Sequence, residues 1–448
     1  MKLRWVLLAA LVMPALGAAA EWKAGAAKVP MTPQGRLFMA GFGNRNKPSG
    51  GTAQELYAKA LVLEDPAGTR AVLVTTDMLG FPASLAKTIA TRVQAQYGIP
   101  RERLFLNSSH THCGPVVSGM SAVPGYNMSP KDWDDVAVYT RQLEDKLISV
   151  IGAAIANLAP ARLCFGKTLA TFGIHRRMPG GKTWGPNFEG PADHDVPVLR
   201  VESPEGSLRA VVFGYGCHNS TISIYKFHGD YAGSAQQWLE ARHPGTVALF
   251  VMGFGGDVKA YPNGTVELAE SYGAMLGAAV DALMRRPMQP VAGPLKTHFE
   301  TVALKFAAPP SREQLNERVK NGTPIVRRDA EVMLKILDRD GRLPSEYPWP
   351  VQAWQFGHDL TLIALGGEVT SEYALRFKKE FDANRLWLAG YSNDVFGYIP
   401  SLRILQEGGY EAGVNSMEFY LQPGPWDSSI EETVVKAVHD AAGRVRLD

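Results

Sequence analysis

Short apolar runs alternate with stretches of helical spacing along most of this chain. Residues 60–64 and 71–75 are rich in Val and Leu, are split by the turn Asp65-Pro66-Ala67-Gly68, and read as two strands. Residues 104–107, 210–215, 246–252, 298–305, 360–365 and 385–389 read as further strands. Apolar residues at three- and four-residue spacing predict helices over 83–96, 139–158, 232–240, 267–283, 312–319, 329–337 and 370–381. Strands that alternate with helices predict an α/β architecture. Residues 171–195, rich in Gly, Pro and charge, read as a long loop, with Arg176, Arg177 and Lys182 as a solvated basic stretch. Residues 287–294 form an irregular crossing, yet nothing in the spacing detaches the C-terminal third of the chain as a separate module.

The N-terminus departs from this alternation. Lys2 and Arg4 precede an apolar stretch from Trp5 to Leu16 and the small residues Ala18-Ala19-Ala20. This is the pattern of a secretory leader, shorter than the roughly 20 apolar residues of a membrane anchor. The expected organisation is a signal peptide over 1–20 and one folded domain over 21–448, in a secreted or periplasmic protein. Cleavage removes Lys2 and Arg4 and takes the formal charge from +2 to 0, so no basic field supports nucleic-acid binding. With 46% apolar and 20% charged residues, the composition is that of a globular protein. Cys113, Cys164 and Cys217 are too few for a disulfide scaffold. Cys113 and Cys217 each adjoin a histidine, which leaves a bond between them open.

Candidate chemistry follows the strand-like runs, where ligands converge in α/β sheets. In His110-Thr111-His112, an extended backbone would point both imidazoles the same way, and neutral imidazole suits zinc. His218 in Gly216-Cys217-His218-Asn219 is a further candidate ligand, with Asp230 nearby as a helix cap or a support for a histidine. The turn Gly253-Phe254-Gly255-Gly256-Asp257 lacks the Lys-Ser/Thr ending of a phosphate loop, and Asp257 reads as a group that orients a neighbour. Glu368, after Gly366-Gly367, offers a carboxylate; two histidines, a carboxylate and an open position make a catalytic zinc site. On propensity alone, Glu368 serves equally as a helix N-terminal carboxylate. The absence of His-Glu-x-x-His argues against a metalloprotease. Asn107, Asn127, Asn219, Asn263 and Asn321 fit the glycosylation pattern, but Asn107 and Asn219 beside the candidate ligands read more simply as hydrogen-bonding residues.

These motifs, with Met39-Ala40-Gly41-Phe42-Gly43 and the segment from Asn393 to Tyr398, resemble the neutral/alkaline, non-lysosomal ceramidase family over most of the mature chain. The resemblance implies a mixed-sheet catalytic domain, without the immunoglobulin-like C-terminal domain common in that family. It implies a Zn2+ amidase that hydrolyses the N-acyl bond of ceramide or a related lipid amide, with peripheral membrane contact. It assigns His110, His218, Glu368 and Tyr398 as metal ligands, His112 beside the reacting carbonyl, Tyr398 as an aid to the oxyanion, and Asp257 in support. One departure is Lys259, which stands where the family carries a serine after Gly-Asp-Val. That leaves two alternatives: a zinc hydrolase acting on an ester or a glycan-linked bond, or a non-catalytic binding protein. A sugar substrate would call for a polar cleft lined by aromatics such as Trp184, Trp349 and Trp354.

Overall fold

The strand Tyr57–Glu64 shows how the sequence builds the core. Its Ala58, Ala60 and Val62 face a layer of helices, while Leu61 and Leu63 face a second sheet. A strand covered on both faces needs apolar residues at every position, which is the continuous run seen in the sequence. The computed structural model describes residues 22–446 other than Pro124, and the leader expected at 1–20 lies outside them.

The large sheet has the order Val247–Met252, Leu208–Tyr215, Asp195–Glu202, Ala159–Leu169, Trp22–Pro30, Tyr57–Glu64, Arg70–Thr76 and Leu104–Ser108, with Gln289–Pro290 beside Ala159–Leu169. The outermost pair at each end is parallel and the pairs between are antiparallel, so the sheet is mixed. Its two edge strands are tied together by Asn107, whose Oδ1 accepts from Met252 N at 2.8 Å. That bond satisfies one backbone N–H of an edge strand that would otherwise be unpaired.

Helices Ala83–Tyr97, Pro130–Ala156, Asp230–Arg242 and Val266–Met284 cover one face of this sheet. A second sheet packs on the other face, in the order Leu295–Lys305, Glu346–Phe356, Leu360–Leu365 and Leu386–Ala389. Trp354, Phe356, Leu362 and Trp387 meet Leu61, Leu63, Leu73 and Phe105 between the sheets. Helix Ile430–Val445 and helix Ser371–Glu380 close the far side. The layers therefore run helix, sheet, sheet, helix, a mixed α/β fold as expected. No helix among the described residues is long and apolar enough to cross a membrane.

The expected strands and helices are present, several with longer bounds. The helix expected from residue 139 begins at Pro130, where Ser129 and Asp132 form a reciprocal capping box ahead of the first apolar repeat. The loop expected over 171–195 is corrected. Gly173–Arg177 and Trp184–Asn187 form a small sheet with Val258–Ala260. Arg176 and Arg177 are buried rather than solvated, because Glu411 takes both guanidinium groups and Glu407 takes Arg177 as well. The three cysteines are free and buried, so Cys113 and Cys217 are not bonded.

Candidate metal centre

The candidate residues converge where strands of both sheets end. His110 follows Leu104–Ser108, His218 follows Leu208–Tyr215, and Glu368 follows Leu360–Leu365. Asn107 anchors the junction: its Nδ2 donates to Gly390 O at 2.8 Å and to Ser392 Oγ at 3.1 Å, while its Oδ1 holds the edge strand of the large sheet. Asn219 is likewise spent on hydrogen bonds, to Gly229 O and from Ala232 N.

The histidine loop reaches its geometry by a route other than the extended one expected. His110 has φ 61°, a left-handed conformation that costs about 1–3 kcal/mol in a non-glycine residue. Its N–H donates to Met78 O and its Nδ1 to Leu79 O at 2.7 Å. The kink still brings His112 alongside, with the two Nε2 atoms 3.2 Å apart. Gly41 makes room for His112, since a Cβ there would lie 2.6 Å from its Nδ1. His218 Nδ1 donates to Gly255 O at 2.8 Å. Backbone carbonyls only accept, so His110 and His218 each turn an Nε2 lone pair inward, the tautomer that metal-binding histidines adopt.

Glu368 faces both rings. Its Oε2 lies 3.2 Å from His110 Nε2 and 3.0 Å from His218 Nε2. Tyr420 OH donates to Oε1, and Tyr391 OH reaches Oε2 at 3.4 Å. Glu368 pairs in register with Tyr398 between two short parallel strands, Glu368–Val369 and Tyr398–Ile399. That pairing sets the two side chains next to each other. Tyr398 OH lies 3.4 Å from His218 Nε2 and accepts from Arg176 Nη2 at 3.0 Å.

Burial and charge agree with metal binding. Burial, then Arg176, pushes His218 down to about 4. Burial together with His110 and His218 holds His112 well below the usual histidine range. Burial would raise Glu368, but the two histidines outweigh it and hold its carboxyl well below the carboxylate range. Burial and Glu368 push Tyr398 well up, against the pull of Arg176. The donor atoms of His110, His112 and His218 all lie within 4.8 Å of one another. Inward lone pairs beside a buried carboxylate repel one another unless a cation shares them, so the donor set fits a divalent metal.

Other candidates stand outside this cluster. Asp257 accepts from Ser371 N at 2.7 Å and from Ser371 Oγ at 3.1 Å, which pins the helix after Glu368 to the glycine turn. Asp230 takes the backbone N–H groups of Ile222 and Tyr231 at the start of its helix. Trp349 and Trp354 are core residues bonded to Gly366 O and Glu102 O, so they line no sugar cleft; Trp184 is 53% exposed. The sequence pattern did not bring Arg176, Tyr391, Tyr420 or Glu411 to the site. The one available signal was the acidic pair Glu407 and Glu411, spaced to meet two adjacent arginines.

Residues 22–260 match the model of neutral/alkaline non-lysosomal ceramidase, N-terminal. The chain belongs to this family. It is 26% identical over 264 residues to a neutral ceramidase of Pseudomonas aeruginosa, across 56% of this chain and 39% of the relative. Neutral ceramidase A of Dictyostelium discoideum is 24% identical over 257 residues, across 52% of this chain and 35% of the relative. These matches span less than half the length of the curated relatives. In three dimensions the chain superposes on the crystal structure of the Pseudomonas aeruginosa neutral ceramidase with a TM-score of 0.73 at 19% identity, covering 96% of this chain and 75% of that one. The family match takes in the histidine loop, His218 and Asp257, while the fold match extends to the half that supplies Glu368 and Tyr398.

Proposed function

We propose that this protein is a zinc-dependent amidohydrolase that cleaves the acyl amide bond of ceramide or a related lipid N-acyl amide. The observation that carries the reading is that Glu368 Oε2 meets His110 Nε2 at 3.2 Å and His218 Nε2 at 3.0 Å, the three residues coming from the ends of separate strands. His110, His218, Glu368 and Tyr398 would hold the ion. Zinc, when bound there, polarises an acyl carbonyl and lowers the pKa of water toward about 7.

The chain's own groups account for the rest. Hydrolysis adds water across the C–N bond: the oxygen goes to the carbonyl carbon and a proton to the leaving amine. His112, kept neutral by its surroundings, accepts a proton at Nε2 and returns it to the amine. Tyr398 stays protonated and, oriented by Arg176, donates to the oxygen that gains charge. Tyr420 and Tyr391 hold the Glu368 carboxylate in place. Trp184, 53% exposed and stacked under the Arg176 guanidinium, supports an apolar rim at the site suited to an amphiphile or a membrane surface, and Phe188, 76% exposed, follows its strand. The leader pattern at the N-terminus supports a secreted or periplasmic setting.

The test is metal content and hydrolysis. Purified protein should hold one zinc per chain and release fatty acid from an N-acyl sphingosine, with activity lost to chelation and restored by zinc. His112→Ala should keep the zinc while kcat falls by about 10²–10⁴-fold. No stoichiometric zinc, together with full activity in His110→Ala, would sink the reading.

A further inference from the structure

Lys259 has a charge that the hydrolytic step does not use. Its strand, Val258–Ala260, pairs with Gly173–Arg177 in the register Lys259↔Ile174. His218 forms a bridge with Lys259 from the other side. Paired residues share a face of a sheet, and so do residues two apart on one strand. His218, Lys259, Ile174 and Arg176 therefore lie on one face, and His218 and Arg176 both reach the metal centre from it. The opposite face carries Val258, which is buried in the core, and His175, which turns to Asp257 at 3.5 Å. Lys259 is thus directed to the side of the chemistry.

Among the described residues its ammonium makes no hydrogen bond and no ion pair. The nearby Asp230 carboxylate is committed to the backbone of Ile222 and Tyr231. Arg176 is already satisfied by Glu411 and Tyr398. Asp230 attracts this ammonium only at longer range, so a half-buried charge beside a guanidinium, without a direct partner among the described residues, remains a net cost. An anion on a bound ligand converts that cost into attraction.

We propose that Lys259 binds an anionic group of the substrate, so that the preferred substrates are acyl amides with a negative charge close to the scissile bond. This rests on the amidohydrolase reading and narrows it. A carboxylate and a phosphate would satisfy the ammonium alike, so the test carries both.

The zinc-loaded full chain is assayed with N-dodecanoylglycine, N-dodecanoyl-O-phosphoethanolamine and neutral N-dodecanoylethanolamine. At least one anionic amide should exceed the neutral one by about tenfold or more in kcat/KM, carried mainly by KM. Lys259→Ser should cut that ratio by about tenfold, Lys259→Arg should retain it, and Lys259→Glu should reverse it. Hydrolysis of the neutral amide with no anion preference, or a ratio unmoved in Lys259→Ser and Lys259→Glu, overturns the inference and leaves the amidohydrolase standing. If no amide is hydrolysed, the amidohydrolase reading is what fails. Calorimetric binding of N-dodecanoylglycine then decides: tighter binding than the neutral amide, weakened in Lys259→Ser, supports the anion site, and equal binding overturns it.

Discussion

The two halves of the candidate metal centre are held by different means. His110 and His218 leave the ends of large-sheet strands, and each has its Nδ1 fixed by a backbone carbonyl. Glu368 and Tyr398 come from a pair of two-residue strands, and the Glu368 carboxylate is steadied by phenols from Tyr391 and Tyr420. The histidine half is therefore set by backbone carbonyls, and the carboxylate half by side-chain hydroxyls that converge on it. Backbone-fixed groups tolerate change around them, whereas a site held by side-chain bonds depends on each partner.

The most severe way to break this contrast is to remove one donor from each half. His218→Ala should lose zinc and bring hydrolysis to background. Glu368→Gln should keep the fold but lower zinc affinity by tenfold or more, to about the range seen when supporting partners are lost. Competition with a chromophoric chelator measures both. Retained affinity in Glu368→Gln would place the carboxylate outside the metal's shell.

Smaller effects come from the residue that joins the halves. Asn107 is fully buried and bonded to Gly390 O, Ser392 Oγ and Met252 N. Asn107→Ala strands those groups, at about 1–3 kcal/mol for a buried group left unpaired. Urea unfolding should show a loss of that order, with weakened zinc binding although no donor is touched. Unchanged stability would mean that the two sheet edges hold without it.

The mildest test acts beneath the carboxylate half. Asp329 lies on the helix Pro324–Asp340, is buried, and has no hydrogen-bond partner for either oxygen among the described residues. Burial, then Glu418, pushes it up to about 8. A raised carboxyl favours the folded state while protonated, so stability drains away as pH rises from about 4, where the unfolded chain ionises, through about 8. Asp329→Asn should therefore gain about 1–3 kcal/mol at pH 8, and the gain should shrink toward pH 5. An equal gain at both pH values would show that ionisation is not the cause.

The same division governs what the sequence revealed. His110, His112 and His218 were legible because each follows an apolar run that could only be a strand, and His-x-His has a metal reading of its own. Asn107 and Asn219 were legible as hydrogen-bonding residues because a glycan beside a ligand makes no sense. Glu368 was visible as a carboxylate after paired glycines, and the family resemblance was needed to make it a ligand. Arg176 was misread because a charged stretch between glycines looks solvated, and the acids that bury it lie 235 residues away in the case of Glu411. Tyr391 and Tyr420 carried no signal at all, since a tyrosine in a loop has no periodicity to betray which way its hydroxyl points. Local pattern reports what a strand or helix does with its neighbours in sequence. It is silent on a hydrogen bond made across the fold.

The scatter of the centre along the chain also dictates when it can form. Glu368 lies 258 residues after His110 (368 − 110) and Tyr420, which holds its carboxylate, lies 52 residues later still. A growing chain on the ribosome carries all three histidines long before it carries a carboxylate to complete them. Contacts this distant pay their loop-closure cost before they return anything, and they form late in folding. An ion held by the complete set of donors would therefore be captured late in folding rather than nucleate it.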